Sequence, residues 1–343
     1  MTFDPVGDSG AAIWLPLLSP RLPTAWGRRL ATGRSKRLLR LLSSEGLTAL
    51  ECALQARPGE TSLRFDIAQR IDRADQATAL ASRLPATPET AVLSRWAGSG
   101  LDREIPSLWL EFDFDHPTVG GDVPRPLICL RIADGLDADV LLDRIVPRLL
   151  DADVASGQRR TLGRLLAALP AGARPLYLFD LSPRRQGTLR LELVGLDATA
   201  AEHYLRTALP SETAQRAVGL LPWIADSDRP HVSFDIHVDG SIDDRIGFEM
   251  SYVRLPHRES RWALLFDRLV SAGLCAEAAK EALFAWPGQE RPSSAGDAWP
   301  RDAAFTRGHL VRVLSHAKIV SAADRPLEAK GYVLFQYLPP RND

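Results

Sequence analysis

Apolar and polar residues alternate along two short segments between Leu47 and Ile71, and a reversal separates the segments. Alternation with a period of two is typical of a β-strand that has one buried face. The region is therefore predicted to be a β-hairpin. Its apolar face comprises Leu50, Cys52, Leu54, Leu63, Phe65 and Ile67, and its polar face comprises Glu51, Arg64 and Asp66.

The same two-strand unit returns four more times, and helical stretches follow the first four units. The later units are SLWLEFDFDH with RPLICLRIA, RPLYLFDLSPRRQGTLRLELVG, HVSFDIHVDGSIDDRIGFEMSYV, and HLVRVLSHAKIV with LEAKGYVLFQYL. Helices are predicted at 76–84, 88–97, 137–150, 158–169, 198–208, 211–220, 260–272 and 276–285. A period of roughly 60 to 75 residues indicates a repeated supersecondary unit.

Five hairpins supply ten strands. The polar faces of these strands must point either to bulk water or to an enclosed space. An open sheet would expose that face to water and leave two unpaired edges, whereas closure removes the edges and creates a lumen. The predicted fold class is α+β, a closed ten-stranded antiparallel β-barrel of five ββαα repeats ringed by helices. An open antiparallel sheet built from two ferredoxin-like halves is the alternative.

The repeats are predicted to form one domain over residues 46–338. Residues 1–45 are expected to be an N-terminal extension, irregular over 1–22 and then a single basic helix over 26–42. That helix either docks an acidic partner or presents a solvated face. Residues 286–305 are rich in Pro, Gly and Ser and are predicted to be a long loop, and residues 339–343 a tail.

Bulk composition excludes several classes of function. The 343 residues carry 42 basic and 43 acidic side chains, a balance that gives no case for a nucleic-acid or membrane partner. The three cysteines fit neither a zinc spacing nor a disulfide framework, and no apolar run reaches ~18 residues, so a cytoplasmic location is predicted. Motifs such as GxxxxGK[ST], HExxH and GxSxG are absent from the sequence.

The polar faces suggest a ligand chamber. The second strands offer cations, namely Arg64, Arg131, Arg190 and Lys330, the last with Tyr332, and a ring of such groups suits a diphosphate. The first strands offer carboxylates, namely Glu51, Glu111, Asp113 and Asp235, one of which could act as a general base. The alternative is that these charges only form cross-strand ion pairs.

Two further patterns bear on metal binding. The acidic run at 113–115 either binds a divalent cation or is a solvated strand end. His231, His237 and His316 are isolated in the sequence, so each is expected to bond to a neighbour rather than to ligate a metal. No metal site is predicted.

The five repeats and the hairpin ALECALQ…TSLRFDI resemble the ABBA prenyltransferases, and are most similar to the branch that modifies cyanobactin-type ribosomal peptides. That family folds as a ten-stranded barrel ringed by helices and binds an isoprenyl diphosphate in the lumen. The resemblance covers roughly residues 45–338. It implies that an isoprenyl group is transferred to a peptide side chain or an aromatic small molecule in a bacterial natural-product pathway, with no cofactor and no Mg²⁺ requirement.

The resemblance also implies roles for individual residues. Glu51 matches the family's base. The implied diphosphate ligands are Arg64, Arg131, Lys318, Lys330 and Tyr332. Chamber or acceptor-contacting residues are Trp109, Glu111, Arg190, Asp235, His237, Glu249 and His316.

The third and fourth units depart from the family pattern, since Arg190/Glu192 and Gly247/Glu249 stand where a Lys-x-Tyr or Arg-x-Lys is expected. Trp109 and Tyr332 are the clearest lumen aromatics. Two alternatives remain: a barrel enzyme that performs acid/base chemistry on a peptide side chain without prenyl transfer, and a non-catalytic barrel that binds a precursor peptide.

Overall fold

The computed structural model describes residues 10–56, 64–114, 123–151, 154–302, 305 and 307–340. Leu63 and Asp115, both used in the strand predictions, lie outside these residues. The described residues form eleven strands: β1 (Thr48–Ala53), β2 (Phe65–Ile71), β3 (Ser107–Asp113), β4 (Pro126–Arg131), β5 (Arg174–Asp180), β6 (Leu189–Val194), β7 (His231–Ile236), β8 (Ile242–Met250), β9 (Gly288–Glu290), β10 (His309–Ala322) and β11 (Arg325–Leu338).

Ten of these strands close on themselves. Strands β1 to β8 pair with their neighbours in chain order, β8 pairs with β10, β10 with β11, and β11 with β1, all antiparallel. The prediction of a closed ten-stranded barrel is confirmed. The circuit leaves none of these ten strands without two neighbours, which is the physical advantage of closure.

Helix pairs cover the outside of the barrel, as the apolar faces predict. They are Ala74–Arg83 with Pro88–Ala97, 138–150 with Ser156–Ala167, Ala198–Ala208 with Ser211–Ile224, and Arg261–Ser271 with Glu277–Ala285. Between the layers lie buried outward side chains such as Leu50, Ile67, Phe112 and Phe248. The segment 138–150 contains a π-helical stretch, Leu141–Ile145. The helix predicted to end at residue 220 continues to Ile224, with Pro222 inside its last turn.

The N-terminal region differs from its prediction. Residues 10–21, expected to be irregular, form the short helical segments Gly10–Trp14, Leu15–Leu18 and Ser19–Arg21. The single basic helix is instead two helices, Thr24–Leu30 and Gly33–Leu41. The break has a local cause, because the Thr32 hydroxyl accepts a hydrogen bond from the Ser35 N–H at 3.3 Å and caps the second helix.

Residues 286–302 contain regular structure where a long loop over 286–305 was predicted. Strand β9 pairs with β10 through Glu290 and Leu310, and a short helical turn, Pro292–Ala295, follows. The buried guanidinium of Arg312 on β10 lies 3.1 Å from the Glu290 carboxylate. A buried cation needs such a partner, and this requirement accounts for the order.

Candidate active site

Three adjoining cavities are among those lined by described residues of the barrel lumen. A hairpin-end cavity of about 660 Å³ lies near the strand turns, a central cavity of about 220 Å³ lies at mid-barrel, and a helix-end cavity of about 790 Å³ lies where strands lead into helices. Arg184, Arg190, Arg245 and Lys330 line both the hairpin-end and the central cavities. Four cations therefore stand at one junction.

Asp235 on β7 is the shared carboxylate of this junction. Arg190 on β6 donates two hydrogen bonds to the Asp235 carboxylate, from Nε at 2.6 Å and from Nη2 at 3.1 Å. Arg185 and Arg245 each approach the same carboxylate to 3.8 Å. Burial opposes ionisation of Asp235, but the arginines outweigh it and lower its pKa to about 2.

Arg245 on β8 stands out among the described lumen cations. Its side chain is 21% exposed, and the carboxylate it approaches is Asp235 at 3.8 Å, already bound to Arg190. Burial, with the nearby positive charge of Arg190 and Arg184, lowers its pKa to about 10. A partly buried guanidinium under such repulsion would be stabilised by an anion. The sequence carries a signal for it, since Arg245 alternates with Gly247 and Glu249 on the lumen face.

The opposite wall of the lumen is acidic and is held by Arg184, which comes from the β5–β6 turn. This guanidinium lies 2.7 Å from Glu111, 2.8 Å from Asp113 and 3.4 Å from Asp66. Burial and the neighbouring Glu51 charge raise the pKa of Asp66 well above its usual value. A side chain on a turn has no strand periodicity, so sequence patterns gave no indication of its role.

Glu51 on β1 is bonded to two residues of β11. Its carboxylate is paired with Lys330 and accepts a hydrogen bond from the Tyr332 hydroxyl at 2.5 Å. Burial opposes ionisation, but Lys330 and Tyr332 outweigh it and lower the Glu51 pKa. The predicted base is therefore ionised, and it faces Lys330 rather than Arg64.

The central cavity has more aromatic character than the sequence interpretation allowed. Tyr177 and Phe179 on β5 line it together with Trp109 and Tyr332. The Tyr177 and Phe179 ring centroids are 6.1 Å apart, and the His316 ring stacks on Tyr332 at 3.9 Å. The sequence already indicated that Tyr177 and Phe179 face the lumen, because they alternate with the outward residues Leu176 and Leu178.

The predicted diphosphate ligands do not form one ring. Lys318, Lys330 and Tyr332 all line the central cavity, whereas Arg64 lies in the hairpin-end cavity beside Glu328 and Arg131 in the helix-end cavity. The expectation of cations at one depth is therefore wrong. Arg64 precedes the first residue of β2, near a hairpin turn, and Arg131 is the last residue of β4, at the other end of the barrel.

The remaining predicted site residues fall into separate surroundings. Glu111 contacts Arg184, and Trp109 lines the central cavity. His237 lies in the hairpin-end cavity, 3.3 Å from Asp243. Lys318 donates a 2.7 Å hydrogen bond to Glu249.

Glu249 also joins a histidine cluster with Glu192, His231 and His316. His231 Nδ1 lies 2.9 Å from Glu192 and 3.2 Å from Glu249, and His316 Nε2 lies 3.5 Å from Glu249. Burial disfavours the charged ring of His231, but its bonds to both carboxylates raise its pKa to about 10. Burial lowers the pKa of His316.

Among the described residues, two groups of side chains have ligand atoms close enough to hold a metal ion. One is Glu51 with Asp66 and Glu111, and the other is Glu192 with His231 and Glu249. In the first group, Lys330 pairs with Glu51, and Arg184 pairs with both Glu111 and Asp66. The second group retains a histidine nitrogen directed between two carboxylates.

The sequence matches no protein-family model and no curated protein. The fold is similar to solved prenyltransferases. Apo PriB aligns with a TM-score of 0.54 at 17% identity over 97% of this chain and 98% of its own. 5-Dimethylallyltryptophan synthase from Streptomyces coelicolor aligns with a TM-score of 0.53 at 15% identity, over 95% of this chain and 97% of its own. AnaPT from Neosartorya fischeri aligns with a TM-score of 0.52 at 10% identity, over 98% of this chain and 94% of its own.

These similarities establish the fold as the ABBA prenyltransferase barrel. Other PriB structures contain L-tryptophan with dimethylallyl thiolodiphosphate, or product diphosphate. Within the described residues, none of the helices combines the length and apolarity needed to span a membrane. The resemblance to the cyanobactin branch stays a prediction.

Proposed function

We propose that this protein is an enzyme that transfers an isoprenyl group from an isoprenyl diphosphate to an aromatic acceptor inside the barrel. The fold is one used by prenyltransferases that have tryptophan and dimethylallyl ligands. Because fold alone does not fix activity, the proposal depends on the lumen chemistry. The observation that carries it is Arg245, a partly buried cation whose carboxylate neighbour among the described residues, Asp235 at 3.8 Å, is already bound to Arg190.

The diphosphate is proposed to bind at the junction of the hairpin-end and central cavities. Arg190, Arg245 and Lys330 line both cavities there, and Arg185 stands at the hairpin end. Guanidinium groups bind phosphate oxygens through paired, charge-assisted hydrogen bonds. These side chains supply the positive charge that Mg²⁺ supplies elsewhere, so no cofactor is invoked. Arg64 and Arg131 are secondary diphosphate ligands in this proposal, because they lie at opposite ends of the barrel.

The isoprenyl chain would then extend into the central cavity. Trp109, Tyr177, Phe179 and Tyr332 line it, and their π faces attract an allylic cation. In the reaction, the C–O bond breaks and its electron pair leaves with the diphosphate. The acceptor forms the new bond to the allylic carbon and loses a proton. Cations held around the leaving group lower the barrier to this ionisation.

The acceptor is proposed to enter through the helix-end cavity, which adjoins the central cavity at Tyr177 and His316. Glu51, ionised in the central cavity, would accept the acceptor's N–H or O–H proton. A ribosomal-peptide side chain is the finer form of this proposal, and about 790 Å³ at this end leaves room for one. Comparing free L-tryptophan with a tryptophan-containing peptide as acceptors tests it.

The deciding experiment measures binding of dimethylallyl thiolodiphosphate by calorimetry. We expect Arg245→Gln to weaken binding at least ~10-fold, because a charge-assisted hydrogen bond to a buried group contributes about 1.5–3 kcal/mol. Arg206→Gln is the matched control, since Arg206 lies on the outside of the barrel and pairs with Glu202 on the same helix. Its affinity should equal that of the unmodified protein.

Two results would contradict the proposal. One is failure of the unmodified protein to bind the thiolodiphosphate at low millimolar concentration. The other is unchanged affinity in Arg245→Gln. Binding of a peptide without the diphosphate would instead favour the barrel that performs acid/base chemistry or binds a precursor peptide.

A further inference from the structure

Four side chains from four consecutive barrel strands converge between the central and helix-end cavities. Glu192 lies on β6, His231 on β7, Glu249 on β8 and His316 on β10, and these strands are direct neighbours in the sheet. The two carboxylate side chains are nine-tenths buried or more. This cluster lies apart from the cations to which the diphosphate is assigned.

The distances within the cluster match those between the ligands of a tetrahedral metal ion. Zn²⁺ bonds imidazole nitrogen and carboxylate oxygen at ~2.0–2.1 Å, so two ligands of a tetrahedron stand roughly 3.3–3.4 Å apart. The observed separations are 2.9 Å for His231 to Glu192, 3.2 Å for His231 to Glu249 and 3.5 Å for His316 to Glu249. Ligand atoms of Glu192, His231 and Glu249 all lie within 4.8 Å of one another, and His316 is not part of this group.

Outer partners orient these ligands independently of the distances. The Ser315 hydroxyl lies 3.0 Å from His316 Nδ1, which directs the opposite nitrogen, Nε2, toward Glu249. Lys318 donates to Glu249 Oε1 at 2.7 Å, which leaves Oε2 facing both histidines. Partners of this kind, which fix the ring and the carboxylate, are characteristic of metal ligands.

The β10 backbone contributes to the arrangement. Its pairing with β11 shifts register between Leu314 and His316, a β-bulge at Ser315. A bulge re-aims side chains near functional sites. Here it leaves Ser315 beside His316 on the lining of both cavities.

We propose that Glu192, His231 and Glu249 form a three-ligand site for a divalent transition-metal ion of the Zn²⁺ class. The ion ties three adjacent strands together, and His316 lies beside the site in contact with Glu249. Binding releases the proton that His231 shares with its carboxylates. The site is independent of prenyl transfer, which involves no metal in the function proposed above.

The test uses the full chain without a histidine tag, freed of metal with a chelator. Calorimetry with Zn²⁺ should show one ion per chain at micromolar concentration. A hundredfold excess over the dissociation constant should raise the thermal midpoint by about 2–5 °C. Co²⁺ should give the intense visible absorption of a tetrahedral site.

His231→Ala should weaken Zn²⁺ binding at least ~100-fold and abolish the Co²⁺ absorption. His316→Ala, which removes a neighbour of the ligand group, should weaken Zn²⁺ binding by a smaller factor. His203→Ala, at an exposed position on the helix Ala198–Ala208, is the matched control and should bind as the unmodified protein does. If His231→Ala fails to fold by circular dichroism, His231→Asn, which retains a polar side chain, replaces it. The proposal is overturned if Zn²⁺ does not bind below ~100 µM, or binds equally to the ligand variants.

Discussion

At the residue scale, many of the lumen charges are paired. Glu51 has Lys330, Asp235 has Arg190, and Glu249 has Lys318. Burying such pairs costs desolvation energy that their attraction roughly offsets, so their presence alone indicates little about ligands. Arg245 differs, because the carboxylate that it approaches to 3.8 Å, Asp235, is already bound to Arg190. Incompletely compensated charge is therefore the more informative signal in the described part of this barrel.

Glu51→Gln separates binding from turnover. The substitution removes the negative charge that holds the Lys330 ammonium, so Lys330 becomes available to an anion. We expect affinity for dimethylallyl thiolodiphosphate to stay equal or rise. Product formation from dimethylallyl diphosphate and an aromatic acceptor should fall by ~10²–10⁴, the usual contribution of a positioned base.

The readouts are calorimetry and product quantification by mass spectrometry. Glu202→Gln, on the outer helix Ala198–Ala208, is the control and should leave both unchanged. Turnover in Glu51→Gln equal to that of the unmodified protein would exclude Glu51 as the proton acceptor.

At the element scale, strand periodicity places the lumen side chains, and a glycine on one strand makes room for a lysine from the neighbouring strand. Gly247 on β8 leaves room for neighbours, since a Cβ there would approach Ser233 Oγ to 2.6 Å and Lys318 Cε to 2.7 Å. Lys318 on β10 lies over this glycine and donates a hydrogen bond to Glu249, its cross-strand partner on β8. A glycine that weakens a strand interior is thus retained for close side-chain approach.

Gly247→Ala should displace Lys318 from Glu249 and lower the free energy of unfolding by about 1–3 kcal/mol, the usual cost of overpacking. Urea denaturation measures it. The contrasting variant is Gly163→Ala, in the helix Ser156–Ala167, where a Cβ meets nothing within 4 Å. That change should stabilise the protein by about 0.5–1 kcal/mol. Equal effects in both variants would contradict this account of Gly247.

At the scale of the whole molecule, the N-terminal region packs on the last part of the chain. The Trp14 side chain is fully buried, with ring centroids 5.4 Å from Trp299, 5.1 Å from Phe305 and 5.2 Å from Tyr337. Its indole N–H donates to the Ser44 carbonyl at 2.8 Å. We infer that residues 10–45 stabilise the barrel rather than forming a separable extension.

Trp14→Ala should lower the free energy of unfolding by about 3–5 kcal/mol, as expected for an aromatic side chain removed from a core. Trp223→Ala is the control, because Trp223 is half-buried on an outer helix beneath Arg268. Thermal and urea unfolding should both rank Trp14→Ala as the more destabilised protein. A loss no larger than that of the control would mean that residues 10–45 are dispensable for barrel stability.

Several parts of the candidate site could be predicted from sequence because they follow strand periodicity. Glu51, Arg190, Asp235, Glu249 and Lys330 all line the lumen on the predicted faces. Tyr177, Phe179 and Arg245 obey the same rule and were open to the same reasoning. Arg184 was not, because it extends from a turn into the acidic wall.

The sequence by itself determined the five repeated hairpins, the closed barrel and the division of side chains between core and lumen. These features depend on local alternation and on the need to bury apolar faces. The tertiary structure decided which lumen residues meet. Those contacts depend on strand pairing, on the bulge at Ser315 and on the distance between the barrel ends. As a result, His231 and His316 both contact Glu249, whereas Arg64 and Arg131 lie at opposite ends of the barrel. Such contacts link residues distant in sequence, and alternation along one strand carries no information about them.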